Sequence, residues 1–212
     1  MEMSKHNTDA ELEVKKSTVL NSGWSAKARS DAFDRVAKSG LPTARDEYWK
    51  YTNPKTLTNK IVEKASIVTD HDSDIFKSVS PLKIVFVDGK FSPEKSDELI
   101  LSGLSIERLD KIKKLDLHWA KELYGRYEKL GQLSVSRHLA AYNTAYANED
   151  LIINVTERVE RPINIIYEHK DEYSDVILHH VIKIDSNAEF TLLESGAAAA
   201  RLNQVLEVEV NE

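Results

Sequence analysis

The chain of 212 residues contains no cysteine. A disulfide framework is therefore excluded, and so is any zinc or metal-cluster site in which this chain supplies the thiolate ligands. If the protein's chemistry requires a thiolate, it must come from outside this sequence. The sequence also lacks an apolar run long enough to span a bilayer.

Three further absences narrow the function. No glycine-rich phosphate loop of either common form is present, so nothing supports nucleotide binding. The formal net charge of −6 argues against a general nucleic-acid binder. The polar N-terminus lacks the apolar core of a secretory signal. We therefore expect a cytoplasmic protein that binds neither nucleic acid nor membrane.

The composition is that of an ordinary globular protein. Hydrophobic residues make up 41% of the chain and charged residues 30%. At this length the chain can form one large domain or two modest ones, with most of its apolar surface buried.

The first part of the chain alternates between helical patterns and one hairpin. Residues 1–24 are polar and are expected to be mobile or weakly helical. Ser25 is placed to cap a helix with an apolar stripe that ends at Gly40, before Pro42. The run 82–87 predicts a buried strand, and Asp88-Gly89 predicts a turn into a return strand that ends near residue 92.

Other helix and strand signals before residue 150 are shorter. Residues 53–80 have no clear pattern beyond two short strand candidates, at 61–62 and 67–68. Three polar residues are each placed to cap a following helix. These caps are Ser105, Asp116 and Ser134.

From Asp150 onward the apolar period changes from helix to strand. Five strand segments follow, at 151–155, 163–167, 176–184, 189–194 and 204–210. Within the third, alternate residues from Val176 to Ile184, His180 among them, are predicted to share one face. Regular short strands permit either a β-sandwich or a stacked solenoid, and periodicity alone does not choose between them.

The segment Leu41 to Thr52 concentrates two tyrosines, a tryptophan and several charges directly after the predicted helix end. It resembles the N-terminal signature of SufD proteins in the SufB/SufD family of iron–sulfur cluster assembly scaffolds. Ala44 replaces one basic residue of that signature. The matching residues are Pro42, Thr43, Arg45, Asp46, Glu47, Trp49, Lys50, Tyr51 and Thr52.

Other segments extend the resemblance over most of residues 25–212. They lie at 85–93, 143–147, 161–163, 187–194 and 203–207. The resemblance implies an α+β fold in which an α-rich N-terminal domain, residues 25–149 with a hairpin near 82–92, precedes a β-helix core. Residues 150–212 would then form the first rungs of a right-handed parallel β-helix, truncated at residue 212 because family members continue well beyond this point.

The resemblance also implies a non-enzymatic scaffold subunit. Its partners would be SufB and the ATPase SufC, and the full complex would handle an iron–sulfur cluster transiently without a resident cofactor in this chain. No catalytic or metal-binding residue is transferred. Two alternatives remain open: a secreted-type β-helix polysaccharide lyase or hydrolase, and a small-molecule-binding β-sandwich.

The histidines and paired carboxylates are expected to be structural. His179 and His180 are adjacent in a strand, so they point to opposite faces and do not easily share one metal ion, even with His169 nearby. His138 is expected to be a hydrogen-bonded core histidine. Asp46 and Glu47 lack a second catalytic group at a suitable spacing.

Two structural expectations complete the analysis. Trp49 is predicted to be a buried anchor of the signature, whose truncation would cost roughly 3–5 kcal/mol. The last strand, 204–210, is predicted to present an open edge through which the chain self-associates.

Overall fold

The computed structural model describes residues 23–67, 75–112, 119–132 and 135–212. The expectations for residues 1–22, for a strand at 67–68 and for caps at Asp116 and Ser134 lie wholly or partly outside these ranges. Among the described residues, no helix combines the length and the apolar character needed to cross a bilayer.

Five α-helices and eight β-strands form the described structure. The α-helices are α1 (Ala26–Ser39), α2 (Lys55–Thr58), α3 (Leu109–Ile112), α4 (Arg126–Gly131) and α5 (His138–Tyr146). Single 3₁₀ turns occur at Glu47–Trp49, Lys77–Val79 and Trp119–Glu122. The strands are β1 (Leu82–Val87), β2 (Lys90–Phe91), β3 (Leu104–Arg108), β4 (Leu151–Val155), β5 (Ile163–Glu168), β6 (Asp175–Ile184), β7 (Leu192–Gly196) and β8 (Arg201–Val210).

The strands form two four-stranded mixed sheets. The first sheet has the order β2-β1-β5-β7 and the second the order β3-β4-β6-β8. From β4 to β8 each strand lies in the opposite sheet from the one before it, and β6, β7 and β8 each pair in parallel with the strand two earlier. Helices combined with these sheets place the chain in the α+β class, as expected.

The strands before residue 150 belong to the same two sheets. β1 and β2 form the antiparallel hairpin predicted around Asp88-Gly89, and β1 also pairs in parallel with β5. β3 pairs antiparallel with β4. The helix predicted from Ser105 is therefore wrong in its first part, because residues 104–108 gain ladder hydrogen bonds to β4 and the helix begins only at Leu109.

The main core lies between the facing sides of the two sheets. Ile84 and Ile165 from the first sheet and Ile153 and Leu178 from the second are fully buried there. The alternation predicted for β6 is confirmed, since Val176, Leu178 and Ile182 all enter this core.

The opposite face of the second sheet carries the helical part of the chain. Ile152 and Val181 point to this outer face and pack against Trp24, Leu123 and Tyr124. Leu109 and Ile112 of α3 join the same cluster. Because one face of the sheet packs on the core and the other on helices, both faces of β4 and β6 are buried.

Two local expectations are corrected. Ser25 precedes α1 but makes no capping hydrogen bond, because its hydroxyl accepts a bond from the Arg29 side chain instead. The fourth strand, predicted at 189–194, lies at 192–196 and includes Ser195 and Gly196, beyond the predicted end. Only glycine fits at position 196, where φ is +90° and a Cβ would lie 2.1 Å from the Tyr167 carbonyl oxygen.

Candidate functional site

The signature segment is a compact surface turn. The backbone N–H of Thr43 donates to Asp46 Oδ2 at 2.5 Å, and that of Asp46 donates to the Thr43 carbonyl at 3.1 Å. These bonds precede the 3₁₀ turn Glu47–Trp49. The hydrogen bond from the Thr43 amide lowers the pKa of Asp46 below its ordinary value.

The aromatic side chains of this segment are more exposed than the sequence predicted. Trp49 is only partly buried, whereas Tyr48 is 59% and Tyr51 91% exposed. The prediction that Trp49 is a buried anchor is wrong. A 3₁₀ turn, rather than an extended segment, directs successive side chains to different sides, so the three rings do not enter one pocket.

Cations lie over both exposed tyrosines. The Lys50 ammonium is 5.3 Å from the centre of the Tyr51 ring, and the Arg137 guanidinium is 5.9 Å from that of Tyr48. His138, the neighbour of Arg137, is buried, and its Nδ1 lies 2.8 Å from the Gly40 carbonyl oxygen. The expectation of a hydrogen-bonded core histidine is confirmed, and this bond ties the end of α1 to the start of α5.

A buried carboxylate joins the helices to the outer face of the second sheet. Glu207 of β8 accepts hydrogen bonds from the amides of Gly125 at 2.6 Å, Tyr127 at 2.9 Å and Glu128 at 3.2 Å, at the start of α4. Its Oε2 also lies 2.9 Å from His179 Nε2. Burial alone would raise the pKa of Glu207, but the hydrogen bonds from His179 and the amides outweigh it, and the pKa is lowered.

A second buried carboxylate lies on the same outer face. Asp150 Oδ1 accepts the His179 amide N–H at 2.5 Å, and its Oδ2 is 3.9 Å from the Arg29 guanidinium. Arg29 in turn donates to Ser25 Oγ and to the Ala145 carbonyl. Burial raises the pKa of Asp150 to about 6 despite the nearby cation. We call Arg29, Asp150, His179 and Glu207 the outer cluster.

The core between the sheets contains a second polar group. His180 Nδ1 accepts the Leu151 amide N–H at 3.0 Å, and its Nε2 lies 3.2 Å from the Tyr167 hydroxyl. Burial lowers the pKa of His180 to about 3, so the ring is neutral and Nε2 carries the proton. The Tyr167 hydroxyl then donates to Glu194 Oε1 at 2.8 Å, and Gln204 Nε2 donates to the same oxygen at 2.8 Å. These residues are the inner cluster.

Neither cluster is arranged as a metal site. Across the described ranges, no group of three or more histidine and acidic side chains is placed to hold a metal ion. His179 and His180 point to opposite faces of β6, as predicted, and each hydrogen-bonds within its own cluster. His169 Nε2 lies 2.9 Å from the Asp171 carbonyl oxygen instead of approaching the other two.

Sequence reasoning missed the roles of Asp150 and Glu207. In the sequence, each is a charged residue next to apolar strand residues. A strand residue that faces solvent has the same pattern, so burial could not be predicted from it. The partners that make these positions buried come from Arg29 and from residues 125–128, which are far away in the chain.

Comparisons with known proteins find matches over most of the chain. Residues 6–165 match the family model described as the SufBD protein N-terminal region. The chain is 26% identical over 168 residues to the iron–sulfur cluster assembly protein SufD of Escherichia coli (strain K12). That alignment covers 75% of this chain and 40% of the relative, so the matched part spans less than half of the relative's length.

Proposed function

The chain belongs to the SufB/SufD family, and on that premise we propose that it serves as a SufD-like scaffold subunit in iron–sulfur cluster assembly. We further propose that it does so in a complex with SufB and SufC in the cytoplasm. In this proposal the chain is not an enzyme, and ATP hydrolysis belongs to SufC. The cluster is cargo of the complex rather than a cofactor of this chain.

The pair of parallel ladders is the structural observation that carries the scaffold role. Successive strands from β4 to β8 alternate between the sheets, and each new strand adds to the ladder of the strand two earlier. Such repetition builds an elongated stack with one strand exposed at the end of each sheet. We propose that this stack is a right-handed parallel β-helix that presents β7 and β8 to further strands or to a partner.

The polar clusters support a structural rather than a catalytic role. The Glu207 carboxylate is occupied by three amides and His179. His180 is held neutral, with both ring nitrogens hydrogen-bonded. Side chains whose polar atoms are all hydrogen-bonded within the protein connect strands and helices. They are not free to exchange protons with a substrate.

Parallel pairing separates this proposal from the sandwich alternative, and the family match separates it from the other. A small-molecule-binding sandwich is built from antiparallel sheets, whereas four of the six strand pairings here are parallel. A polysaccharide lyase or hydrolase shares the β-helix but is not supported by the family match.

Co-purification tests the proposal. The full reading frame that contains this chain is tagged and expressed with the SufB and SufC proteins of the same organism. We expect both to be recovered with it in fixed proportion, and a deletion of the gene to lower the activity of iron–sulfur enzymes in extracts. Recovery of the tagged protein alone, with unchanged enzyme activity in the deletion strain, would contradict the proposal.

A further inference from the structure

The side chains of a set of surface tyrosines and cations lie outside the cores and outside the two sheets. The set comprises Arg45, Tyr48, Lys50, Tyr51 and Arg137, which we call the tyrosine–cation patch. Tyr51 is 91% exposed and Tyr48 59% exposed, and all three cations are exposed. Neither tyrosine is stabilised by burial or by a contact with the core. Large aromatic side chains exposed in this way are typical of binding surfaces.

We infer that the tyrosine–cation patch is a docking surface for an acidic segment of another protein, one in which carboxylates alternate with apolar side chains. This docking does not depend on pairing with SufB or SufC. The patch lies on the turn after α1 and on the residue before α5, whereas the pairing proposed above uses the strand edges of the two sheets.

The charge of the patch defines its partner. Among the described residues, no carboxylate forms an ion pair with Arg45, Lys50 or Arg137. The same turn carries two acidic side chains, Asp46 and Glu47. The Asp46 carboxylate accepts the Thr43 amide N–H, so Glu47 is the remaining negative charge beside three cations. A positive patch on a chain with a formal net charge of −6 attracts carboxylates.

The tyrosines indicate a protein rather than a small anion. Tyrosine and arginine are enriched at the residues that dominate protein–protein binding, because they combine a large apolar area with a hydrogen-bonding group. Tyr48 and Tyr51 already lie beside cations, at 5.9 Å from Arg137 and 5.3 Å from Lys50. In each pair, an apolar side chain of the partner would pack on the tyrosine ring, and a carboxylate of the partner would bind the adjacent cation.

A nucleic acid is the less suitable occupant, although basic residues beside aromatic rings also occur in single-strand binding sites. The phosphate backbone is attracted by extended positive surfaces and repelled by negative ones. Here the patch is small, and the rest of the chain is strongly acidic. A short acidic peptide can bind to a surface of this size and does not require an extended positive surface.

The local structure suits a binding surface. The Thr43–Asp46 hydrogen bonds and the 3₁₀ turn fix the backbone that carries Tyr48 and Lys50. The His138 bond to the Gly40 carbonyl holds Arg137 next to the turn. A prepositioned surface loses little conformational entropy on binding.

Selection from a phage-displayed library of random peptides tests the inference with the whole chain as the target. We expect the enriched sequences to contain several carboxylates interleaved with aromatic or aliphatic residues. A synthetic peptide of the enriched sequence should bind more weakly as the ionic strength rises, because exposed charges are screened within about 10 Å at moderate salt. A version with glutamine and asparagine in place of the acids should bind weakly.

Variants locate the binding surface. Lys50→Glu and Tyr51→Ala should each weaken binding of the synthetic peptide about tenfold or more. Lys90→Glu makes the same charge change at an exposed residue of the β1–β2 hairpin and should leave the affinity nearly unchanged. Far-ultraviolet circular dichroism checks that each variant is folded.

Four outcomes would overturn the inference. They are enrichment of peptides without acidic character, no enrichment at all, equal losses from Lys50→Glu and Lys90→Glu, and binding of a poly-uridine oligonucleotide that Lys50→Glu abolishes while acidic peptides do not bind. Light scattering tests a fifth such outcome, self-docking: a dimer that Lys50→Glu dissociates would make a second copy of this chain the occupant.

Discussion

The carboxylate of Glu207 connects the edge strand β8 to the start of α4 through three backbone amides and His179. The donors from Gly125, Glu128 and His179 are buried, and an unmatched buried donor is costly. The packing of the helices on the second sheet therefore depends strongly on the side chains of the outer cluster.

We predict that Glu207→Gln lowers the free energy of unfolding by about 2–4 kcal/mol, because the neutral amide is a weaker acceptor for these donors. Glu209→Gln is the matched control in the same strand. Its carboxylate pairs with Arg126, which is half exposed, so the cost should be below about 1 kcal/mol. Urea denaturation measures both, and equal losses would contradict the role given to Glu207.

Asp150 should make stability depend on pH. Burial raises its pKa from an ordinary value of 3.8 to about 6, so the folded chain holds a proton that the unfolded chain has already lost. Its contribution is fully present below pH 3.8 and is lost as the pH rises to about 6, by roughly 3 kcal/mol in total. Glu207 has the opposite sign, since its lowered pKa removes stability only as the pH falls below its ordinary range.

The Asp150→Asn variant isolates this effect. Its amide oxygen can still accept the His179 N–H, but it does not titrate. Plots of unfolding free energy against pH should therefore have a smaller negative slope between about pH 4 and pH 6 in the variant than in the natural chain. Identical slopes would show that Asp150 does not hold a proton in this range.

Trp49 is expected to contribute less than a core aromatic residue. Because the ring is only partly buried, Trp49→Ala should cost about 1–2 kcal/mol. Phe86 is fully buried between the sheets, so Phe86→Ala should cost about 3–5 kcal/mol. Chemical denaturation of the two variants side by side measures the difference in unfolding free energy. An equal loss of stability in both variants would show that Trp49 is a buried anchor after all.

At the scale of elements, β7 depends on a residue without a side chain. The register of β5 with β7 places Gly196 opposite Tyr167. A Cβ at this position would meet the Tyr167 carbonyl oxygen at 2.1 Å, and backbone atoms cannot move aside as a flexible side chain can. The close approach of the two strands therefore requires glycine.

Gly196→Ala should lower stability by about 3 kcal/mol or more, since strained backbone and a clash with β5 add together. Gly40 provides the comparison, because its φ is +74° but a Cβ there would meet nothing within 4 Å. Gly40→Ala should cost only the backbone strain, about 1–2 kcal/mol. Thermal unfolding distinguishes the two, and equal shifts would mean that β7 can move away from β5.

At the scale of the whole molecule, β8 is the edge strand of the second sheet among the described residues. The side of β8 continuous with the core face exposes apolar residues. They are Leu202, Leu206, Val208 and Val210, between 39% and 67% exposed. Unpaired backbone groups beside such a row favour pairing with another chain.

We predict that the chain self-associates increasingly with concentration and that Val208→Lys reduces this association, because a charged edge is disfavoured in strand pairing. Val79→Lys places the same charge at a residue that is 49% exposed and lies outside the strands, so it should have little effect. Size-exclusion chromatography with light scattering gives the molar mass. A monomer at all concentrations would contradict the prediction.

The sequence by itself determined the features that depend on neighbours along the chain. Short, mostly apolar runs located β4 and β5, and the alternate apolar residues from Val176 to Ile184 located β6. Asp88-Gly89 located the hairpin through its turn chemistry. The opposite directions of His179 and His180 followed from the two-residue period of a strand, and the Pro42 to Thr52 run indicated the family whose model matches residues 6–165.

Tertiary structure decided the features that depend on residues far apart in the chain. Residues 104–108 became a strand because β4 supplied ladder partners that a local helix signal does not include. Asp150 and Glu207 became buried because helices from another part of the chain cover that face of the sheet. The hydrogen bonds to these carboxylates offset part of the cost of removing them from water. Trp49 stayed partly exposed because a local turn, and not its apolar character, set the direction of its side chain.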